Sequence, residues 1–208
     1  MIRLKKGFKL EKIHKKSIPG YLLISIVTVC LNDGKYLEET IQSVINRTYS
    51  NIEYIIIDGG STDNTINIIK KYESKIDHWL SESDKGIYDA MNKGISLAKA
   101  KWINFMNAGD TFYKSNTIEK IFLKKNDKID FIYVDRKIIY NTKFSRVEKA
   151  GEIKDLWKGM VFFHQSLFTN SDVFKNINLM LIIELVLISN FFFIVIKIIL
   201  NFAIFIPR

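Results

Sequence analysis

The chain has 208 residues, enough for one well-buried core and short for two. Apolar residues make up 48% of it and prolines number only two, so most of it should be globular rather than disordered, while a single Cys30 excludes an internal disulfide. The formal charge of +9 is uneven: residues 1–20 hold seven Lys/Arg against one Glu, so +6 of it sits in a basic leader.

That leader reads as a solvated extension ahead of the core. It is not a secretory signal, since neither an apolar run nor a small-residue cleavage site follows the basic stretch. Charge is the sole argument for nucleic acid, with no recognition motif or stacking platform beside it, so no nucleic-acid partner is expected. The lone cysteine suits the cytoplasm, and the basic leader leaves peripheral contact with the inner face of a membrane open.

A β-branched run predicts a strand over 24–29, closed by a turn at Asn32-Asp33-Gly34. Tyr36, Leu37, Thr40, Ile41, Val44 and Ile45 follow at helical spacing. A second strand is predicted over 52–57, stopping at Asp58-Gly59-Gly60, and Asp63 is placed to cap a helix whose inner face is Ile66, Ile69 and Tyr72. Ile87, Tyr88, Met91, Ile95 and Ala98 suggest a third helix, and strands are expected over 102–106 and 129–134. Strands alternating with helices of this length argue for an α/β domain, a mostly parallel sheet with helices on both faces. Ligands in such sheets sit at the carboxyl ends of the strands. There the sequence concentrates Asp, Asn and Gly.

Three polar clusters lie at or near such ends. The first, Asp58-Gly59-Gly60-Ser61-Thr62-Asp63, offers a carboxylate and a backbone that a ligand can approach closely; it also reads as a turn leading into a helix cap. The second runs from Asp84 to Gly94. In it Asp89 and Asn92 or Lys93 lie on adjoining helix faces, and Lys85 stands near the helix entry, suited to a phosphate. A plain amphipathic helix with a charged outer face fits that stretch as well. The third, Asn107-Ala108-Gly109-Asp110, puts a carboxylate among small neighbours, as a diphosphate-bound Mg²⁺ or Mn²⁺ requires.

The clusters gain specificity from their order: I-S-I-V-T-V-C-L-N at 24–32, I-I-I-D-G-G-S-T-D at 55–63, S-E-S-D-K-G-I-Y-D-A-M-N-K-G at 81–94, F-M-N-A-G-D at 105–110 and H-Q-S at 164–166. The stretch from Ile24 to about Phe174 resembles family 2 glycosyltransferases with the GT-A fold, in particular the subgroup that makes bacterial surface polysaccharides such as colanic acid or capsule. The resemblance implies a Rossmann-like GT-A domain, and an inverting transfer of sugar from a nucleotide-diphosphate donor to a glycan or lipid-linked acceptor. It implies that Asn32 lines the nucleotide pocket, Asp58 holds the base, and Lys85, Asp89 and Asn92 face the donor sugar and diphosphate. Asp110 would bind the metal, Mg²⁺ or Mn²⁺, and His164 would stand on the acceptor or diphosphate side. The chain departs from the family's aspartate-rich metal motif at Asn107 and Gly109, and carries Met91 where an Arg often precedes the helix Asn.

The resemblance also places the catalytic base in an acidic helix at about 185–195, and that stretch is apolar here. From 179 to 206 the charges are Glu184 and Lys197 alone. Three readings stand. Back-translated with AT-rich codons and read one base earlier from Asn178, the tail spells Phe-Asp-Val-Asn-Tyr-Arg-Ile-Ser, the segment the family has there, which suggests a frameshift product. Its length also permits a membrane anchor, or a core helix. The expected organisation is therefore a leader over 1–20, a nucleotide-sugar-binding domain over 21–178 that is incomplete at its C-terminal end, and an apolar tail over 179–208. The alternatives to an active transferase are a donor-binding remnant without turnover and a membrane-tethered partner protein.

Overall fold

The computed structural model describes residues 7–10, 15–122, 129–140, 143–152, 155 and 163–175. The apolar tail, the stretch expected to hold the base, and parts of the leader lie outside them. A seven-stranded sheet runs through the molecule in the order β1 (Gly7–Leu10), β4 (His78–Ser81), β3 (Ile52–Asp58), β2 (Ile24–Cys30), β5 (Trp102–Asn107), β9 (Leu167–Asn170) and β6 (Phe131–Tyr133). At its centre are β2, β3 and β5, with β4 beyond β3. These four are parallel, and every residue of β2 and β3 is buried. Continuous burial follows from layers on both faces, and explains why these strands read as unbroken β-branched runs.

Alternate residues feed two cores. Ile24, Ile26, Tyr54, Ile56, Trp102 and Met106 pack with α1 (Leu37–Ile45), α2 (Thr65–Lys71) and α4 (Thr117–Phe122). Val27, Val29, Ile55, Ile57, Ile103 and Phe105 pack with Ala90 and Met91 of α3 (Ile87–Leu97). A Cβ on Gly94 would stand 2.3 Å from Val27 Cγ1, so glycine lets α3 lie directly on β2. In α3 the expected inner residue Ile87 proves 43% exposed, because the helix turns Ala90, Met91 and Gly94 to the sheet. In α2 the expected inner residues Ile66, Ile69 and Tyr72 all pack on the core, Ile69 buried and the other two half-buried, and Ile68 joins them as a buried residue.

The other strands differ from expectation. β9 (Leu167–Asn170) inserts antiparallel between β5 and β6 (Phe131–Tyr133), and β6 is shorter than the run over 129–134. β7 (Arg136–Ile139) and β8 (Ser145–Glu148) form a separate antiparallel pair. The leader is not merely solvated. β1 (Gly7–Leu10) pairs antiparallel with β4, from Gly7↔Ser81 to Leu10↔His78. Lys15 Nζ then donates to Ile52 O at 2.6 Å and meets Asp77 at 2.8 Å. Asn51 Nδ2 donates to Lys16 O at 3.0 Å. Edge pairing uses main-chain groups, so it leaves no side-chain pattern in the sequence.

Candidate functional site

The four parallel strands end on one edge of the sheet, followed by loops 31–36, 59–64, 82–86 and 108–116. β2 lies between β3 and β5, so the ends of those two strands stand about 10 Å apart, two strand spacings.

The β3 loop is built on Asp58, which is fully buried. Its carboxylate accepts from Gly60 N (3.1 Å), Ser61 N (3.0 Å) and Ser81 Oγ (2.6 Å), and from Ser61 Oγ. Asp58 therefore does not present an open oxygen to a base. It shapes the loop, because four donors converge on a charge removed from water. Ser61 Oγ in turn accepts from Asn32 N at 2.7 Å, and Asn32 Oδ1 accepts from Thr62 N at 2.9 Å. Asn32 has φ 56, a left-handed backbone that asparagine tolerates better than most residues. Asp63 adds two more ties, accepting from Gly34 N (2.9 Å) and from Thr65 N (3.0 Å) at the start of α2. The loops after β2 and β3 thus form one hydrogen-bonded unit.

The carboxylate that faces this unit belongs to Asp84. Its Oδ1 accepts from Gly86 N at 2.9 Å, and its Oδ2 lies so near Gly59 that a Cβ there would be 2.5 Å away. Leu31, 53% exposed, borders the same spot. Asp89 Oδ2 accepts from Lys85 N at 3.1 Å and pairs with Lys93 at 3.4 Å, while Lys93 also reaches Glu82 at 3.1 Å. Asp89 is thus engaged at the N-terminal turn of α3. Lys85 is exposed beside it, and Asn92 is half-buried one turn on.

On the other side of β2, Thr40 of α1 fixes the β5 loop, accepting from Gly109 N at 2.8 Å and donating to Asp110 O at 2.9 Å. Gly109 has φ 94, and a Cβ there would come within 3.6 Å of Tyr36. Asp110 is half-buried, and burial pushes its carboxyl pKa up, opposed by a hydrogen bond with Gln165 and by the charges of His164 and Arg136. His164 opens a line of contacts: Asn107 Nδ2 lies 3.1 Å from its Nε2. Crowding round the ring lowers the His164 pKa, Arg136 lowers it further and Asp110 opposes. The tautomer of the ring sets the direction of its hydrogen bond with the Asn107 amide. Buried Asn104 fixes the 164–166 turn by donating from Nδ2 to Gln165 O (3.0 Å) and Leu167 O (2.9 Å).

Arg136 had no signal in the sequence. Glu148 holds it at 2.7 Å, and its guanidinium lies 3.2 Å from the Phe163 ring centroid. With Phe112, Tyr113, Ile138 and Gln165 it lines a cavity of about 410 Å³ beside Asp110. The expected residues thus fall in two groups flanking the end of β2, Asn32, Lys85, Asp89 and Asn92 on one side and Asp110 with His164 on the other.

A divalent cation fits this second group only with help. Asn107 Oδ1 is buried and has no hydrogen-bond partner among the described residues, and it shares a turn with the Asp110 carboxylate. Both are hard oxygen donors suited to Mg²⁺ or Mn²⁺. Among the described residues no group of three or more His, Cys, Asp or Glu is arranged to hold a metal. A bound phosphate or water would complete the set that the described residues begin.

Residues 25–182 match the family described as "Glycosyl transferase family 2". A PGL/p-HBAD biosynthesis glycosyltransferase of Mycobacterium bovis is 30% identical over 160 residues, covering 74% of this chain and 62% of that protein. Glycosyltransferase GlyG of Streptococcus pneumoniae is 36% identical over 109 residues, 51% of this chain and 36% of that one. The chain thus spans about three fifths of the length of the first of these relatives. Among solved structures, S. aureus TarS 1-349 in complex with UDP-GlcNAc gives a TM-score of 0.62 at 16% identity, over 74% of this chain and 47% of that one. Mannosyltransferase PcManGT from Pyrobaculum calidifontis, in complex with GDP-Man and Mn²⁺, gives 0.58 at 11%, over 74% and 46%. These likenesses establish the α/β fold as GT-A.

Proposed function

The chain belongs to glycosyl transferase family 2, and from that premise we propose that it binds a nucleotide-diphosphate sugar across the end of β2 for inverting transfer to a glycan or lipid-linked acceptor. The observation that carries this reading is the pair of polar groups on either side of that strand, Asn32 with Asp84 after β2 and β4, and Asn107 with Asp110 after β5. Asn32 and Asp84 take the nucleoside, with exposed Leu31 beside them. Asp84 replaces Asp58 in this role, since Asp58 is occupied in holding the loop. Lys85 meets the diphosphate, and Asn92 with Asp89 faces the sugar.

Asp110 and Asn107 Oδ1 hold Mg²⁺ or Mn²⁺ together with the donor's diphosphate. When bound, the metal offsets the negative charge that builds on the departing nucleoside diphosphate. In the transfer, an acceptor hydroxyl oxygen bonds to the anomeric carbon as the bond from that carbon to the diphosphate breaks, and the hydroxyl proton passes to a base. His164 and Arg136 border the acceptor side; both are placed to orient its oxygens. The resemblance expects that base beyond 178, where this sequence is apolar with Glu184 as its one carboxylate, so donor binding rather than turnover is what these residues support. The likeness to a PGL/p-HBAD biosynthesis glycosyltransferase supports a glycan or lipid-linked acceptor in surface polysaccharide synthesis, met at the cytoplasmic face of a membrane.

Calorimetric titration of the full chain with UDP and GDP, with and without Mn²⁺, tests the reading. Metal-dependent binding of one nucleotide in the micromolar range is expected, and binding of neither overturns it.

A further inference from the structure

Nine large hydrophobic residues are exposed among the described residues, and five of them, Tyr113, Ile139, Tyr140, Phe144 and Val147, gather at the β7–β8 hairpin. We propose that this hairpin is a docking surface for an anionic lipid bilayer. The register Lys137↔Val147 and Ile139↔Ser145 sets Ile139 and Val147 on one face of the two-stranded sheet, and Tyr140 with Phe144, paired at its end, on the other. Tyr113 adjoins the first face, its ring 5.6 Å from Lys137 Nζ and 5.5 Å from Lys114 Nζ. Phe144 and Tyr140 are 71% and 62% exposed near the turn.

Charge selects the occupant. Residues 136–149 hold Arg136, Lys137, Lys143, Arg146 and Lys149 against a single acid, Glu148, and Glu148 is engaged by Arg136 and Arg146. Apolar and aromatic side chains interspersed with lysines match the boundary of a bilayer, where rings lie at headgroup depth and lysine stems bury while their ammonium ends reach lipid phosphates. A second copy of the chain fits poorly. A two-fold contact would set this cationic hairpin against itself. The hairpin also adjoins the cavity beside Asp110, which Tyr113, Lys137 and Ile139 help to line. Docked there, the protein would receive a membrane-anchored acceptor from the hairpin side; this purpose, though not the docking itself, rests on the glycosyl-transfer reading.

The test is sedimentation of the full chain with vesicles of phosphatidylcholine alone, or of equimolar phosphatidylcholine and phosphatidylglycerol. Wild type should bind only the anionic vesicles, and less as salt rises. Lys143→Glu with Lys149→Glu, and separately Tyr140→Ser with Phe144→Ser, should each weaken that binding roughly tenfold or more. Their melting temperatures and UDP–Mn²⁺ binding should stay at wild-type values, which separates lost docking from lost folding; if a double variant melts early, its single substitutions take its place. Undiminished vesicle binding by both variants overturns the proposal and assigns any attachment to other segments. So does a shift from dimer to monomer in sedimentation equilibrium with vesicle binding unchanged, which would make the face a contact between copies. Vesicle binding without nucleotide binding would leave the docking surface standing and remove the donor reading.

Discussion

Replacing Asp58 with Asn removes the charge on which Gly60 N, Ser61 N and the hydroxyls of Ser61 and Ser81 converge. Bonds to a buried charge contribute more than neutral ones, so Asp58→Asn should cost about 2 kcal/mol in urea unfolding, whether or not nucleotide is present. Asp110→Asn should behave in the opposite way. Burial raises the Asp110 pKa in the folded chain, so its contribution to stability is fully present below the unfolded pKa and is lost as pH rises through the folded one. At neutral pH the charged group is a cost, and Asp110→Asn should leave the melting temperature unchanged or raise it. Metal and nucleotide need the charged form. Their binding should therefore weaken, as pH falls, at a higher pH than an ordinary aspartate would require. The sequence showed both residues as strand-end acids. Their difference lies in hydrogen bonds made by residues such as Ser81, 23 positions away, which no local pattern records. Arg136 was invisible for a similar reason, since it reaches the site from a strand with no motif of its own.

The elements that the sequence made legible are those whose burial is complete. β2, β3 and β5 are apolar on both faces, and α1 shows its inner residues Leu37, Thr40, Ile41 and Val44 at helical spacing. β4 escaped because four residues beginning with His78 give no period, although His78 is buried and lies 3.6 Å from fully buried Glu53. β9 escaped as a strand of four residues, and β1 because edge pairing is made through main-chain groups that leave no pattern in the sequence. β1 has a measurable consequence. Deleting residues 1–20 removes a strand from the edge of β4, the Lys15 contacts to Ile52 and Asp77, and the Lys16 carbonyl that Asn51 uses. A loss of about 2 kcal/mol, or roughly 4–8 °C in melting temperature for a chain this size, is expected by calorimetry. An unchanged melting temperature would show that the segment only rests on the sheet.

For the whole molecule, the GT-A fold and its family were readable from the order of five short motifs, and residues 25–182 match that family. Turnover is a separate matter, because residues 179–208 contain Glu184 as their one carboxylate, set between Ile183 and Leu185. Sugar transfer by this chain is expected to be negligible when nucleotide release from labelled donors is followed, and restoring the alternative frame after Asn178 should raise it. Transfer at an ordinary enzyme rate would contradict this and make Glu184→Gln the next variant. Donor binding does not depend on that outcome. Its most direct measurement is electron paramagnetic resonance of Mn²⁺ titrated into the full chain. With Asp110 and Asn107 as the oxygens offered among the described residues, wild type should capture Mn²⁺ when UDP or GDP is present and hardly at all without it, and Asp110→Asn should abolish the capture. Equal Mn²⁺ uptake by wild type and Asp110→Asn in the presence of nucleotide would contradict the site.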